Sequence, residues 1–397
     1  GYLRAMNERS LHLSPRAYSQ LLWPNLDLER LSSVLVDLVR RHTALRTSVR
    51  SDGSQEIVAA PASIALPFAD LMALDDDTCR RVLMQRCREV ALADPTDSLK
   101  IACRVDRTRE GLRLHVHLSL LTLDARSVDL FFEELRARYA DSADRENSEL
   151  SMAEDDAFVR LVHQEMSGVG SPEVERSNVY WRARGGQLSP PLRLREGERV
   201  ATVHGAAHHR HEFWLDVAKT QALSAVAKTG AVSLTVLTLA IYLACLRAEA
   251  GDHPFSIGLM VSSRSVLGPH DTRSLGNYSS LLPVEAPASG GDLVEVTLAL
   301  QEQLRRDLTH VSLTHSQDDA SRADPRTATF PVTFASMLGY ARSAGDSAGP
   351  TPEVVVRMVP GVMLAQCVAL EGDRLVFCWD GDEATVAQIH PDASSME

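Results

Sequence analysis

The chain has 397 residues, a net charge of −12, 44% hydrophobic residues and 24% charged ones. That length is too great for one simple core, so two domains or lobes are expected, with the composition of a globular protein. The acidic balance, without any Lys/Arg cluster, excludes nucleic acid as the expected partner. The longest apolar run, Val232 to Leu246, is too short to span a bilayer and reads as a buried helix, so no membrane is expected either.

Six cysteines are scattered with no C-x-x-C pair, which points to neither a zinc site nor a redox motif, and fits a reduced, cytoplasmic setting. The opening "GYLRAMNERS" has no apolar signal core. A start at Gly1 suggests a piece of a longer polypeptide.

In chain order, Leu28, Leu31, Leu35 and Leu38 recur at helical spacing, with Asn25 or Asp27 as cap. Thr47 to Val58 reads as a hairpin turning at "SDGS". "DTCRRVLMQRCREVAL" is a second amphipathic helix. "GLRLHVHLSLL" alternates, with Leu112, Leu114, Val116, Leu118 and Leu120 on one side and Arg113, His115, His117 and Ser119 on the other. A helix follows over "SVDLFFEELRARYA", capped by Ser127 or Asp129, which leaves Asp124 in the strand-to-helix turn. A polar, acidic loop and two further helices, "FVRLVHQEM" and "EVERSNVYWRARGG", come next.

A second lobe opens near "REGERVATVHGAA". In it "HHRHEFWL", "PFSIGLMVSS", "TFPVTFASML", "EVVVRMVPG", "MLAQCVALEG" and "RLVFCWDG" read as strands. "VAKTQALSAVAKTGA" and "DLVEVTLALQEQLRRDLTHV" read as helices, and "ARSAGDSAGPTPE" as a flexible connection. Helices and strands mix in both halves, so the class is α/β or α+β.

Three groups could carry chemistry. The patch of His204, His208, His209 and His211 offers two histidines on one strand face and no third ligand, so no metal is expected. His115 and His117 have no evident orienting partner and read as surface or cleft-lining residues. Asp124 ends an apolar strand and opens an amphipathic helix. A carboxylate buried there needs a cation or several N–H donors, so helix capping or a structural ion pair is expected before catalysis.

"LLTLDARSVDLFFEEL" resembles the core motif of condensation domains in nonribosomal peptide synthetases, H-H-x-x-x-D-G, and more closely that of the heterocyclization subfamily, D-x-x-x-x-D-x-x-S, with Ser119, Asp124 and Ser127 at the matching positions. "LVRRHTALRTSV" resembles the family's "RHPxLR" segment, and "NVYWRARGGQL" its "YWxxxL" helix. "VSSRSVLGPHDTRSLGNYSSLLPVE" resembles its long loop, with Arg264, Gly276 and Ser280 matching. "FPVTFASMLGY" and "VPGVMLAQCVALEGDRLVFCWDGDE" resemble its last two motifs. These segments, in order, cover nearly the whole chain.

The resemblance implies two chloramphenicol-acetyltransferase-like lobes, 1–175 and 176–397, forming a V with a central tunnel. It implies peptidyl carrier proteins as partners, whose phosphopantetheine arms bring thioester-bound intermediates, and no intrinsic cofactor. It implies amide formation to Cys, Ser or Thr followed by cyclisation and loss of water. The departures are at the reactive positions. The first motif aspartate is Ser119, and the condensation family's histidine falls at Leu120. The two cyclodehydration positions are Ala335 and Ala365, and the aspartate of the long loop is Asn277. Alanine cannot move a proton.

Two readings follow. The domain binds a carrier-tethered thioester and recruits or presents it to a trans-acting enzyme. Alternatively, it catalyses an unusual condensation or cyclisation by positioning two arms, with Ser119, Ser127 and Asn277 supplying hydrogen bonds. Asp124 is expected to pair with Arg264 across the base of the lobe interface, and Ala335 is expected to face Ala365 from a neighbouring strand near Asp124.

Overall fold

The computed structural model describes residues 15–50, 54–91, 99–141, 154–192, 208–251, 253–266, 272–286, 292–311, 330–340, 350–359 and 361–382. Two compact units result. Unit 1 comprises Gly1–Leu161, Arg264–Tyr278 and Gly345–Pro360; unit 2 comprises Val162–Ser263, Ser279–Ala344 and Gly361–Glu397. Two excursions from the second half of the sequence thus belong to unit 1, which a single cut at 175/176 does not describe.

Unit 1 is built on a five-stranded sheet ordered β11-β1-β6-β5-β4: β1 Arg16–Trp23, β4 Phe68–Asp70, β5 Ile101–Thr108, β6 Gly111–Ser119 and β11 Val354–Met358. Short β2 Thr47–Val49 and β3 Gln55–Ile57 form the expected hairpin, most of whose turn lies outside the described residues. Helix α1, Leu28–Arg41, starts where Asp27 accepts from the Arg30 amide at 3.0 Å, the usual N-cap arrangement. Its apolar stripe of Leu31, Val34, Leu35, Leu38 and Val39 packs with α3, Ala125–Asp141, against Ala17, Leu21, Leu114, Val116 and Leu118. Each such fully buried aliphatic side chain contributes about 1.5–3 kcal/mol.

The other face of this sheet carries Tyr18, Gln20, His115, His117, Arg104 and Asp106. The register of β1, β6 and β5 places them there. Helix α2, Asp76–Ala91, lies on that side, and its Arg86 approaches Asp106 at 3.6 Å. The alternation of β6 is therefore not apolar-in, polar-out: His115 and His117 are buried. The reading of these two as surface or cleft residues is corrected by the helix that covers them. β1 escapes the sequence reading for the same reason: with both faces covered and Arg16 and Gln20 inside, it shows no simple alternation. β5 alternates only over Ile101, Cys103 and Val105, which are buried while Ala102 is exposed, before buried Asp106 breaks the pattern.

Unit 2 has a six-stranded sheet ordered β7-β13-β12-β10-β8-β9: β7 His208–Trp214, β8 Ser256–Ser262, β9 Ser279–Glu285, β10 Val332–Ser336, β12 Leu364–Glu371 and β13 Arg374–Asp382. β12 and β13 meet at a tight turn in which Gly372 takes φ 57, a backbone region glycine enters without penalty. Helices α4 Ala157–Ser167, α5 Pro172–Gly185, α6 Val217–Thr229, α7 Leu234–Ala250 and α8 Leu293–Leu308 complete the described elements. α7 is the expected buried helix. With Trp181 of α5 and Leu300 and Leu304 of α8 it packs on Ile257, Leu259, Val332, Phe334, Leu364 and Val368. Trp181 also donates its ring N–H to the His310 carbonyl at 2.9 Å. Among the described residues no single helix is long and apolar enough to cross a membrane.

Candidate functional site

The turn between β6 and α3 gathers a buried set of polar groups in unit 1. Asp124 has its carboxylate inside the protein. One oxygen accepts from the Ser127 amide at 2.7 Å and from Arg264 Nη2 at 3.0 Å; the other accepts from the Tyr278 amide at 3.3 Å. The cap of α3 is thus Asp124 itself, not Ser127 or Asp129, because a carboxylate at the turn reaches the amide three residues on.

Arg264 donates further to the Ser274 carbonyl (2.7 Å) and to Ser127 Oγ (2.6 Å), and stacks 4.1 Å over the Tyr278 ring. Ser127 Oγ in turn donates to the Gly276 carbonyl at 2.7 Å and accepts from the Gly276 amide at 3.0 Å. The buried charges are paired and hydrogen-bonded, the condition under which such a pair is tolerated. Both members, and Ser127, lie within unit 1 rather than on two lobes.

Asn277 spends its amide N–H groups on the Leu120 and Leu121 carbonyls at 3.1 and 3.3 Å. Ser119 is buried, and its Oγ accepts from the Leu121 amide at 3.4 Å. Asp124, Ser127, Arg264 and Asn277 therefore fasten the 272–278 loop to the 119–127 turn. Each of these four side chains makes at least one hydrogen bond to the protein.

His115 and His117, behind this turn, carry strongly lowered pKa values of about 4. Burial is the main cause for both, with Arg16 adding to it at His117 and Asp106 opposing it at His115. The Tyr18 hydroxyl meets His115 Nδ1 at 2.7 Å.

Ala335 and Ala365 lie in unit 2 on the adjacent parallel strands β10 and β12. Thr333 is the register partner of Ala365, and Ala335 that of Cys367. Register partners share a face and residues two apart share a face, so the two alanines share one. The opposite face sends Val332, Phe334 and Leu364 into the core. On β13 the partner of Ala365 is Asp380, so the row across three strands reads Thr333, Ala365, Asp380. Both Asp380 oxygens are taken by Arg210, at 2.9 and 2.7 Å. Burial works against the Arg210 charge, yet Asp380 raises its pKa above the usual arginine value.

Of the histidine patch, His204 and the side chains of His208 and His209 lie outside the described residues; His211 is half-buried on β7. Among the described residues no cluster of three or more His, Cys, Asp and Glu could hold a metal.

One cluster is not singled out by the sequence reading: His42, Glu134 and Asp155. His42 Nε2 lies 2.8 Å from Glu134 and Nδ1 3.0 Å from Asp155, with the imidazole 1% exposed. Its only signal in the sequence is "RRHTALR" at the end of α1, noted there as a resemblance and not as chemistry.

The architecture matches solved domains of peptide synthetases. The cyclization-docking bidomain of EpoB from Sorangium cellulosum superposes with a TM-score of 0.80 at 19% identity, over 96% of this chain and 79% of that one. The nonribosomal peptide synthetase FmoA3 superposes with 0.78 at 23% identity, over 99% of this chain and 41% of that one. The fold is the mixed α/β fold of these proteins. By sequence, the Condensation domain family matches residues 5–315, and the chain belongs to that family.

The phenyloxazoline synthase MbtB of Mycobacterium bovis is 27% identical over 383 residues, 91% of this chain and 26% of MbtB. The chondramide synthase cmdD of Chondromyces crocatus is 27% identical over 251 residues, 60% of this chain and 6% of that protein. The chain thus spans about a quarter of the length of the phenyloxazoline synthases it matches.

Proposed function

We propose that this domain binds a peptidyl carrier protein bearing a thioester-bound intermediate, and recruits or presents it to a trans-acting enzyme, without itself expelling water to close a ring. The observation that carries this is the pair Ala335 and Ala365 on one sheet face, at the positions where the resemblance implies a proton donor and a base. Expelling hydroxide needs a proton donor and activating the amide needs a base; two methyl groups supply neither. Meanwhile Asp124, Ser127, Arg264 and Asn277 keep their structural hydrogen bonds to one another and to the backbone, so a frame persists where reactive groups are missing. The phosphopantetheine arm comes with the carrier, and the reading invokes no group bound by this chain.

A second reading, an active domain with altered chemistry, draws on the row Thr333, Ala365, Asp380. A hydroxyl and a carboxylate flank the empty position from both neighbouring strands. The bidentate hold of Arg210 on Asp380 weighs against it, because a carboxylate so paired is a poor base. Calorimetric titration with loaded and unloaded carrier separates the readings from a mere spacer. The recruitment reading expects the loaded carrier to bind more tightly, and no heat with either form overturns it.

A further inference from the structure

We propose that His42 is a positioning residue: as an imidazolium held between two carboxylates, it sets the 274–278 loop on the Asp124 turn and loosens that loop when it loses a proton.

Both ring nitrogens face carboxylate oxygens, Nε2 to Glu134 at 2.8 Å and Nδ1 to Asp155 at 3.0 Å. A neutral imidazole has one N–H and one lone pair. In either tautomer the lone pair points at a carboxylate, with almost no water to intervene. Against burial, His42 and their other partners hold the Glu134 and Asp155 carboxyls below their usual range, so both are ionised and the arrangement calls for the doubly protonated ring. His42 also follows the last turn of α1, and its amide bonds the Leu38 carbonyl at 2.9 Å; a cation is favoured at such a helix end.

The charges around it are few and fixed. On α3, Glu134 also accepts from Arg138 at 2.7 Å. On α1, Arg41 approaches Glu134 at 3.4 Å. Asp155 also takes the Ala157 amide at 3.3 Å and a hydrogen bond from Ser274. Burial opposes the His42 charge, but the hydrogen bonds to Asp155 and Glu134 outweigh it and raise its pKa above 6.5.

The connection to the loop is one atom long. The Asp155 oxygen that accepts from His42 also accepts from the Leu275 amide at 3.0 Å. The next residue, Gly276, accepts from the Asp124 amide at 3.1 Å and from Ser127 Oγ at 2.7 Å. Asn277 holds the Leu120 and Leu121 carbonyls, and the Tyr278 amide reaches Asp124. Residue 155 is itself zipped to the chain at 41–43, through its amide to the Arg41 carbonyl (2.8 Å) and its carbonyl to Thr43 Oγ1 (2.9 Å). Loss of the His42 proton leaves the buried Asp155 carboxylate without its counter-charge, and the group it then holds least well is the loop.

The sign follows from the raised value. The latch is fully present below about 6.5, the unfolded histidine value, and is lost as pH rises through the folded one. The consequence for carrier affinity rests on the recruitment reading; the latch itself does not.

The test is site-resolved amide exchange of the whole chain between about pH 6 and 9, corrected for intrinsic exchange, with the His42 ring titrated by NMR. Protection at Leu275 and Tyr278 is expected to fall tenfold or more with the midpoint of the His42 titration, while Val105 in the unit 1 core and Val368 in unit 2 hold. Asp155→Asn keeps an acceptor for the Leu275 amide but removes a charge, so the midpoint should move down by about one unit. His42→Gln should leave Leu275 poorly protected at every pH. Flat protection at Leu275, an unmoved midpoint in Asp155→Asn, or an equal loss at Val105 overturns the proposal. Affinity for a loaded carrier measured in parallel should weaken with the same midpoint. If exchange titrates and affinity does not, the loop is not the part that meets the carrier, and the recruitment reading loses this contact while the latch stands.

Discussion

Asp124→Asn tests the centre of unit 1 most severely. The substitution keeps the shape and one carbonyl acceptor but removes the charge facing Arg264, whose side chain is 3% exposed. Breaking one member of a buried pair typically costs about 3–5 kcal/mol, because the partner is left in a low-dielectric site. Arg264 keeps the Ser274 carbonyl and Ser127 Oγ, which places the expectation at the lower end, about 3 kcal/mol. For a unit of this size, 1 kcal/mol moves the midpoint by roughly 2–4 °C, so a drop of roughly 6–12 °C is expected. Scanning calorimetry should show it in one transition, with the transition of unit 2 unmoved. The double variant Asp124→Asn with Arg264→Met should lose less than the sum of the singles, since it removes the stranded charge. A single variant that melts like the parent, or an additive pair, would refute the structural role given to these residues.

Other expectations are simpler. Gly276→Ala places a Cβ 2.7 Å from the Phe158 ring, which is T-stacked on Tyr278 at 5.0 Å; a destabilisation of about 1–3 kcal/mol should appear in denaturant melts. Acidification from pH 6.5 to 4 should cost up to roughly 3 kcal/mol per histidine at His115 and His117, because the unfolded chain binds protons there that the folded chain refuses. Denaturant midpoints against pH check it, and His117→Gln should flatten the slope. The triple change Ser119→Asp, Ala335→Thr, Ala365→Asp should yield traces of thiazoline or oxazoline, detected by mass spectrometry after incubation with Cys- or Ser-loaded carriers.

Much of the fold is legible where periodicity is undisturbed. α1, α2, α7 and the strands β7, β8, β10, β12 and β13 all fall on segments whose pattern announces them. β1 does not announce itself, because burial on both faces removes alternation; β5 alternates only over Ile101, Cys103 and Val105, too short a run to stand out among Arg104, Asp106 and Arg107. β9 hides in a motif better known for its loop, "NYSSLLPVE". Asp124 and Arg264 are legible as partners because a carboxylate at an apolar strand end needs a cation. The cap of α3 is misread because Asp124 serves the helix and Arg264 at once, and a sequence scan assigns one role per residue. His42 is missed because its carboxylates arrive from 92 and 113 residues away; no local spacing encodes such a contact.

The most direct measurement is the mass of the carrier-bound product after the wild-type domain meets a loaded donor carrier and a Cys-, Ser- or Thr-loaded acceptor carrier. With alanine at 335 and 365, the account predicts that no species lighter by one water appears, while the loaded carrier still co-elutes with the domain. A product lighter by one water from the unaltered domain would contradict it, and would return Thr333 and Asp380 to consideration as the groups that move the protons.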